Sequence, residues 1–408
     1  MKQSRPYPTA TVTQKGERWI KSPHPWVYGA EIIAMAGEVE NGCLMDVLSP
    51  KGAYLGTGLY SEKSKIAVRI LSANANDRYD EAFFARRIRY ALDYRQSVMG
   101  EADLSCCRLV FGEADGLPGL TVDRFDSILV AQVLSFGMER LSGMLFRLLL
   151  EQLEGRGQKI AGLYLRNDVP LRALEGLPQG KGWYEGLPHP ASPITEIVEN
   201  GVRYAVDVEN GQKTGFFLDQ KYNRLQIARL AKGKRVLDCF THTGSFALNA
   251  SLGGAEHVTA VDISQAAVDM ARANARLNGL EGNMDFLTAD VFELLPRLCE
   301  ERKNPYDLII LDPPAFTKSR KTVAGAERGY KEINYRAMRL LPRGGYLATC
   351  SCSHFMKNEL FVKMLFDAAR DADVQLKQAE ARQQAPDHPI LWNVPETDYL
   401  KFYIFQVV

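Results

Sequence analysis

Four aspartates stand at the ends of apolar, β-branched runs in the second half of this sequence. They are Asp238, Asp262, Asp290 and Asp312. Helical patterns separate the runs, which are therefore predicted to be parallel strands of one doubly wound sheet. The carboxyl ends of such strands meet at one edge of the sheet, where ligands bind. The pattern predicts four carboxylates around one ligand.

The turn after the first strand indicates what that ligand is. It carries one glycine, Gly244, whereas a dinucleotide-binding turn carries G-x-G-x-x-G and offers helix-start amides to a pyrophosphate. Asp238 would repel a pyrophosphate but suits the sulfonium and ammonium of S-adenosylmethionine. Asp262 can accept from both ribose hydroxyls, and Asp290 from the adenine amino group. The pattern resembles class I S-adenosylmethionine-dependent methyltransferases; four unrelated strand-end acids are the alternative. The other residues predicted to bind this cofactor are Phe216, Gln220, Phe240, Thr241, Thr243, Ile263, Ser264, Val291 and Asp312.

The run D-P-P-A-F, which begins at Asp312, indicates the substrate. In methyltransferases, a polar residue followed by two prolines holds a planar nitrogenous group near the methyl donor. Pro313 and Pro314 fix the backbone, Asp312 meets the edge of the base, and Phe316 can stack on an extruded base. A rigid turn with no substrate role is the alternative.

Two cysteines lie where the fifth predicted strand, Gly345–Cys350, ends. C5 of cytosine is a poor nucleophile until a thiolate adds to C6, so C5 methylation needs a cysteine at this edge of the sheet. Cys350 is the predicted nucleophile, and Cys352, ~6–7 Å further along an extended chain, is the alternative. Both could instead be buried structural cysteines. A zinc site with His354 is disfavoured because C-x-C lacks a second ligand pair, so no metal is predicted.

Composition limits the remaining possibilities. A chain of 408 residues with 46% hydrophobic residues is long enough for two or three domains. The net charge of +1 gives no global attraction for a polyanion, so any nucleic-acid surface is local. The seven cysteines form no disulfide framework. Neither a signal peptide nor a membrane span is predicted, and we expect a soluble protein in a reducing compartment.

The predicted architecture has three domains. Residues 1–73 are predicted to form a small β-barrel of about the size of a PUA domain. Residues 74–190 are predicted to form an α+β domain, and residues 191–408 the Rossmann-like α/β domain. The segment Lys21–Tyr28 interleaves aromatic and basic residues; it could stack on RNA or form a packed, proline-rich connection. A closing antiparallel pair is predicted near Ile390–Val394 and Tyr399–Val407.

Several motifs together resemble the ribosomal RNA large subunit methyltransferase I family, which makes 5-methylcytosine in 23S rRNA. The resemblance implies an N-terminal PUA domain, a central domain and a C-terminal methyltransferase, with Asp238, Asp262 and Asp290 on the cofactor, Asp312 on the base and one of the two cysteines as nucleophile. It also implies a bacterial cytoplasmic enzyme with 23S rRNA as its partner, no membrane association, and in many members a homodimer. Cys239 and His242 depart from the usual aliphatic and aromatic residues. The matching motifs are Glu113–Leu120, Lys213–Gln220, Asp238–Gly244, Asp312–Phe316, Arg328–Asn334 and Thr349–His354.

Three other functions are compatible with parts of the pattern. A methyltransferase acting on an exocyclic amine of a base in RNA would use the D-P-P run but needs no thiol. A small-molecule methyltransferase would leave the two N-terminal domains without a role. A non-catalytic RNA-binding factor would not need the intact set of acids.

Overall fold

The computed structural model describes residues 5–301, 305–317 and 319–408. They form two compact units. The first contains the described residues up to Ile197 with Val206–Leu218 and Pro386–Thr397, and the second contains Val198–Ala205, Asp219–Ala385 and Asp398–Val408. Within the described ranges, no helix has the length and apolar character needed to cross a bilayer. The division into three domains remains a prediction.

The N-terminal part of the first unit is a six-stranded sheet. Its strands run in the order β2-β6-β5-β4-β1-β3, and all neighbouring pairs are antiparallel except β1 and β4. These strands lie within residues 1–73, for which the sequence predicted a small β module. The elements are β1 (Thr9–Val12), α1 (Gln14–Lys21), β2 (Trp26–Tyr28), β3 (Ile32–Ala36), β4 (Leu44–Leu48), β5 (Tyr54–Tyr60) and β6 (Ile66–Ser72).

The aromatic segment around β2 is packed rather than open. His24 is 2% exposed, and its ring lies 4.5 Å from that of Trp19 and 5.2 Å from that of Trp26, between ring centroids. The indole nitrogen of Trp26 donates to Glu113 at 2.8 Å. Of the two alternatives for this segment, the structure favours the packed connection.

A five-stranded sheet follows in the same unit, in the order β11-β10-β9-β8-β7. The helix α2 begins after Asp80, whose side chain accepts from the amide of Phe83, and it buries Phe84, Ile88 and Leu92 on one face. The strand β11 lies inside the glycine- and proline-rich run 176–193. The elements are α2 (Glu81–Val98), β7 (Cys106–Phe111), β8 (Leu120–Phe125), β9 (Ile128–Val133), α3 (Phe136–Glu154), β10 (Gly162–Arg166), α4 (Leu171–Leu174) and β11 (Lys181–Trp183).

A two-stranded sheet of β12 (Ile194–Glu199) and β13 (Val202–Asp207) precedes the doubly wound sheet of the second unit. That sheet has seven strands in the order β16-β15-β14-β17-β18-β20-β19, of which β14 to β18 are parallel. The predicted fold class is confirmed. The elements are α5 (Lys221–Leu230), β14 (Arg235–Cys239), α6 (Ser245–Leu252), β15 (His257–Asp262), α7 (Gln265–Leu277), β16 (Met284–Thr288), α8 (Val291–Glu300), β17 (Leu308–Leu311), α9 (Val323–Leu340), β18 (Tyr346–Ser351), α10 (Asn358–Asp371), β19 (Leu376–Arg382) and β20 (Lys401–Val407).

The closing pair of this sheet corrects one prediction. β20 pairs antiparallel with both β18 and β19, so its outer partner is Leu376–Arg382 and not Ile390–Val394. The latter run lies between Pro389 and Pro395, and proline has no amide hydrogen to give to a ladder. It belongs to the first unit.

The central strands explain why the site lies at the carboxyl edge. All four residues of β17 are buried, as expected for a parallel strand covered by helices on both faces. Their side chains leave no room for a ligand within the sheet. Polar groups become available only near the carboxyl ends of the strands. Asp238 and Asp262 lie in the last residues of β14 and β15, and Asp290 and Asp312 follow β16 and β17.

Candidate cofactor and catalytic site

Asp238 lies in β14 and is fully buried. Its Oδ2 accepts from the hydroxyl of Thr241 at 2.6 Å and from the amide of Ala247 at 2.9 Å. Its Oδ1 is also buried and has no hydrogen-bond partner among the described residues. Burial, followed by the nearby charges of Asp312 and Asp262, raises the pKa of Asp238 to about 7. An unsatisfied buried carboxylate oxygen is costly, and a cationic ligand group would satisfy it.

The loop between β14 and α6 has an uncommon backbone. Phe240 and His242 adopt positive φ angles of 65° and 50°, which cost energy in residues other than glycine and concentrate at functional sites. Gly244 has φ 81°, and a Cβ there would lie 3.0 Å from the Cβ of Ala271, so the close approach of loop and helix requires glycine. The buried hydroxyl of Thr243 has no partner within the described chain, which leaves a second polar atom available in this loop.

The carboxylate of Asp262 is held by two backbone amides. His242 donates to its Oδ2 and Ser264 to its Oδ1, both at 2.9 Å. Each oxygen keeps a further lone pair for a ligand hydroxyl. The neighbouring Ile263 is 69% exposed, an apolar surface beside the acid on which a flat ring can rest. The side chain of Ser264 caps α7.

Asp290 and Val291 open α8 in different ways. The Asp290 side chain caps the helix and its Oδ1 accepts from the amide of Phe292 at 2.8 Å, which leaves Oδ2 for a ligand. Val291 is 2% exposed and packs in the core, so only its backbone can meet a ligand. Phe216 belongs to the first unit, and its role at the cofactor remains a prediction.

Asp312 directly follows β17, and its carboxylate meets two side chains of the site. The Nε2 of Gln220 donates to its Oδ1 at 3.1 Å. Cys350 occupies the adjacent position on the neighbouring strand, since β17 and β18 pair Leu311 with Thr349 one residue earlier. Withdrawal from water, followed by the charge of Asp219, raises the pKa of Asp312 to about 6. Pro313 is buried and Pro314 exposed, so the rigid turn presents one proline face to solvent.

The two cysteines at the end of β18 differ in environment. Cys350 is fully buried, and burial followed by the charge of Asp312 raises the pKa of its thiol well above the ordinary value. Cys352 lies beyond the strand and is half-buried. Lys401 is close to Cys352; its ammonium donates to the carbonyl of Ser353 at 2.6 Å, and burial lowers its pKa to about 8. The cation nearby keeps Cys352 as the alternative nucleophile.

Phe316 is half-buried among aromatic rings. Its centroid lies 4.6 Å from that of Tyr330 and 5.7 Å from that of Phe292. The hydroxyl of Tyr330 in turn accepts from Ser351 at 3.1 Å. These contacts hold the Phe316 ring in place, and a base could contact its exposed part.

Comparison with known protein families matches two parts of the chain. Residues 10–73 match a family described as a PUA-like domain, and residues 179–405 match S-adenosylmethionine-dependent methyltransferases. A protein of Klebsiella pneumoniae named ribosomal RNA large subunit methyltransferase I is 39% identical, covering 98% of this chain and 99% of its own. Proteins of the same name are 42% identical in Shewanella denitrificans, covering 96% and 97%, and 41% in Pseudoalteromonas translucida, covering 98% and 99%.

The chain belongs to the ribosomal RNA large subunit methyltransferase I family. Among solved structures, SMU.776 complexed with SAH has a TM-score of 0.82 at 20% identity and covers 98% of this chain and 100% of its own; this likeness shows the fold. S-adenosylmethionine is the cofactor, and the buried, unpaired oxygen of Asp238 fits its cationic groups.

The raised pKa of Asp238 predicts a pH-dependent cofactor affinity. Below pH 7 the free enzyme holds this carboxyl protonated, and a cationic ligand must displace that proton. We expect the affinity for S-adenosylmethionine to rise by up to about tenfold per pH unit between pH 5.5 and 7 and to level off above. Calorimetry at several pH values measures this change.

The matched control is Asp238→Asn, which keeps the shape but cannot ionise. Its affinity should be lower and nearly independent of pH over the same range. A wild-type affinity that does not change between pH 5.5 and 7 would show that the ionised form of Asp238 is not needed for binding.

Proposed function

We propose that this chain methylates C5 of a cytosine in 23S ribosomal RNA, with Cys350 as the nucleophile. The observation that carries the proposal is the position of Cys350 beside Asp312. β17 and β18 pair Leu311 with Thr349, so the next residue of each strand, Asp312 and Cys350, lies at the sheet edge near the cofactor acids. The names of the relatives support a ribosomal RNA substrate. The proposed methylation of ribosomal RNA would take place in the cytoplasm.

The proposed chemistry begins at the thiol. The S–H bond of Cys350 breaks as a bond forms between sulfur and C6 of cytosine, and the proton passes to Asp312. The C5–C6 π electrons become available at C5, which is then nucleophilic. S-adenosylmethionine, when bound, supplies an electrophilic methyl group. Once C5 carries the methyl group, a base removes the C5 proton, and the electrons of that C–H bond re-form the C5–C6 double bond as the C6–S bond breaks. The departing thiolate then takes its proton back from Asp312.

Asp312 is suited to take the thiol proton. A general base works best when its pKa lies near the working pH, and the pKa of Asp312 is raised to about 6. Cys350 occupies the adjacent position on the neighbouring strand, which brings the thiol near this carboxylate. The same D-P-P turn would hold the base, with Pro314 and Phe316 against its faces.

The deep burial of Cys350 favours a second candidate function. Its thiol has no exposed surface and a raised pKa, and both properties are also typical of a structural cysteine. In that case the D-P-P turn would hold an exocyclic amine, and methylation would need no covalent bond to the protein. The identity of the methylated atom distinguishes the two candidates.

The test is product analysis. Purified protein, S-adenosylmethionine and unmodified 23S rRNA should give 5-methylcytidine after nuclease digestion, identified by mass spectrometry. Asp262→Ala, which removes the proposed ribose contact, serves as the control with reduced cofactor binding. A methyl group on an exocyclic nitrogen would support the second candidate, and the absence of any transfer to ribosomal RNA would overturn both.

A further inference from the structure

Three polar side chains form a chain of hydrogen bonds that ends at Asp312. The Nε of Arg382, at the end of β19, donates to Oδ1 of Asn223 at 3.1 Å. The Nδ2 of Asn223 donates to Oε1 of Gln220 at 2.6 Å. The Nε2 of Gln220 donates to Oδ1 of Asp312 at 3.1 Å. All four residues lie in the second unit.

The direction of this chain is fixed at its outer end. An arginine has donors only, so Asn223 must meet Arg382 with its oxygen and has its NH₂ group left for Gln220. Gln220 must then accept with its oxygen, which leaves its NH₂ group for Asp312. The orientation of a side-chain amide is ambiguous in isolation. Here the donors of Arg382 orient the amide of Asn223, and Asn223 in turn orients the amide of Gln220. Asn223 and Gln220 are 2% and 3% exposed, so both amides are shielded from water.

We propose that Arg382, Asn223 and Gln220 are positioning residues, which hold an N–H donor against Asp312 so that this carboxylate is ionised when it takes the proton of Cys350. The inference rests on the proposed function for the identity of the proton donor. The effect of these residues on the protonation state of Asp312 does not depend on the identity of the substrate.

The donor matters because most of the surroundings favour the protonated carboxyl. Burial has the largest effect on the pKa of Asp312, and Asp219 raises it further. Arg224, the Cys350 thiol and Gln220 act in the opposite direction, and only Gln220 among these is a neutral N–H donor in contact. The remaining titratable groups that act on Asp312 or Cys350 are Asp238, Tyr330 and Cys352.

Arg382→Met interrupts this series of hydrogen bonds at the end away from Asp312. The substitution preserves side-chain length and removes the donors. The oxygen of Asn223 then loses its donor, while its Nδ2 keeps a bond to the carbonyl of Gln383 at 3.3 Å. The Asn223 and Gln220 amides are therefore less firmly oriented, and an oxygen facing Asp312 would disfavour the ionised form. We expect the acid limb of the pH–rate profile to move up by about one pH unit, the size of losing one hydrogen bond to a charged group. Arg382→Lys, again a donor only, should restore most of the wild-type profile.

A measurement on the unfolding equilibrium needs no substrate. Because the pKa of Asp312 is raised from 3.8 to about 6, its contribution to stability is fully present below pH 3.8 and is lost as pH rises through about 6. In Arg382→Met this loss should continue above pH 6, so denaturant midpoints at pH 6 and pH 8 should differ more than in wild type. In the Asp312→Asn background, Arg382→Met should change that difference no further.

Glu380→Gln is the matched control, since Glu380 lies 3.7 Å from Arg382 and takes no part in the chain. It should leave both pH dependences unchanged. The proposal is overturned if Arg382→Met matches wild type in both measurements, if Glu380→Gln shows the same shift, or if the shift persists without Asp312. A shift in the unfolding data with no 5-methylcytidine formed would reject the proposed function and keep the positioning role.

Discussion

Replacement of Cys350 by alanine should reduce 5-methylcytidine formation by at least about a thousandfold, as expected when a covalent catalyst is removed. The side chain that would form the C6–S bond is absent. Binding of S-adenosylmethionine should persist, because Asp238, Asp262 and Asp290 are unchanged. Single-turnover assays on 23S rRNA and calorimetry of cofactor binding measure the two properties separately.

Cys352→Ala is the matched control because this thiol lies two residues further along and is half-buried. It should retain most of the activity. RNA with 5-fluorocytidine at the target should form a stable adduct with the wild-type enzyme, since fluorine cannot leave C5 as a proton does. Peptide mapping should locate the adduct on Cys350. An adduct on Cys352 would transfer the nucleophile role to it, and full activity of the double variant would support amine methylation.

The doubly wound sheet was predictable because its signals are local. Each of β14, β15 and β17 is a short, apolar, β-branched run, and a strand of this kind can be recognised from its own residues. The acids after these strands were predictable for the same reason, since a strand end and the next residue are adjacent in sequence. Ser264 was likewise identifiable as the cap of α7.

The edge strand was not predictable from its residues. β19 reads L-K-Q-A-E-A-R, and most of its side chains are exposed or half-buried, so it has little apolar signal. The run Ile390–Val394 is more apolar but has prolines at both sides. Pairing with β20, and not hydrophobicity, determines where the edge lies.

The connection between Gln220 and Asp312 was also beyond sequence reasoning. Gln220 was predicted to bind the cofactor, which remains a prediction; its side chain also donates to an acid 92 positions away. Asn223 and Arg382 were not predicted as site residues at all. They are 159 positions apart, and no short motif indicates a hydrogen bond at that separation. Their contribution depends on how β19 and the start of α5 pack in the folded unit.

Asp312→Asn should lower the rate of methyl transfer by roughly 10²–10⁴-fold, the usual contribution of general base catalysis. Asparagine has nearly the same shape and can still meet the edge of a base, but it cannot accept the thiol proton. The change should therefore appear in the single-turnover rate, with a much smaller change in the apparent affinity for rRNA. Assays at saturating S-adenosylmethionine measure both.

The pH dependence gives the decisive comparison for this variant. In the wild type the rate should rise with pH through about 6 as Asp312 ionises, and it should level off once the carboxylate is formed. In Asp312→Asn that limb should disappear, and the rate should instead increase towards alkaline pH, where hydroxide can remove the proton of a thiol whose pKa is raised by burial. A variant that keeps the wild-type rise near pH 6 would show that another group takes the proton of Cys350.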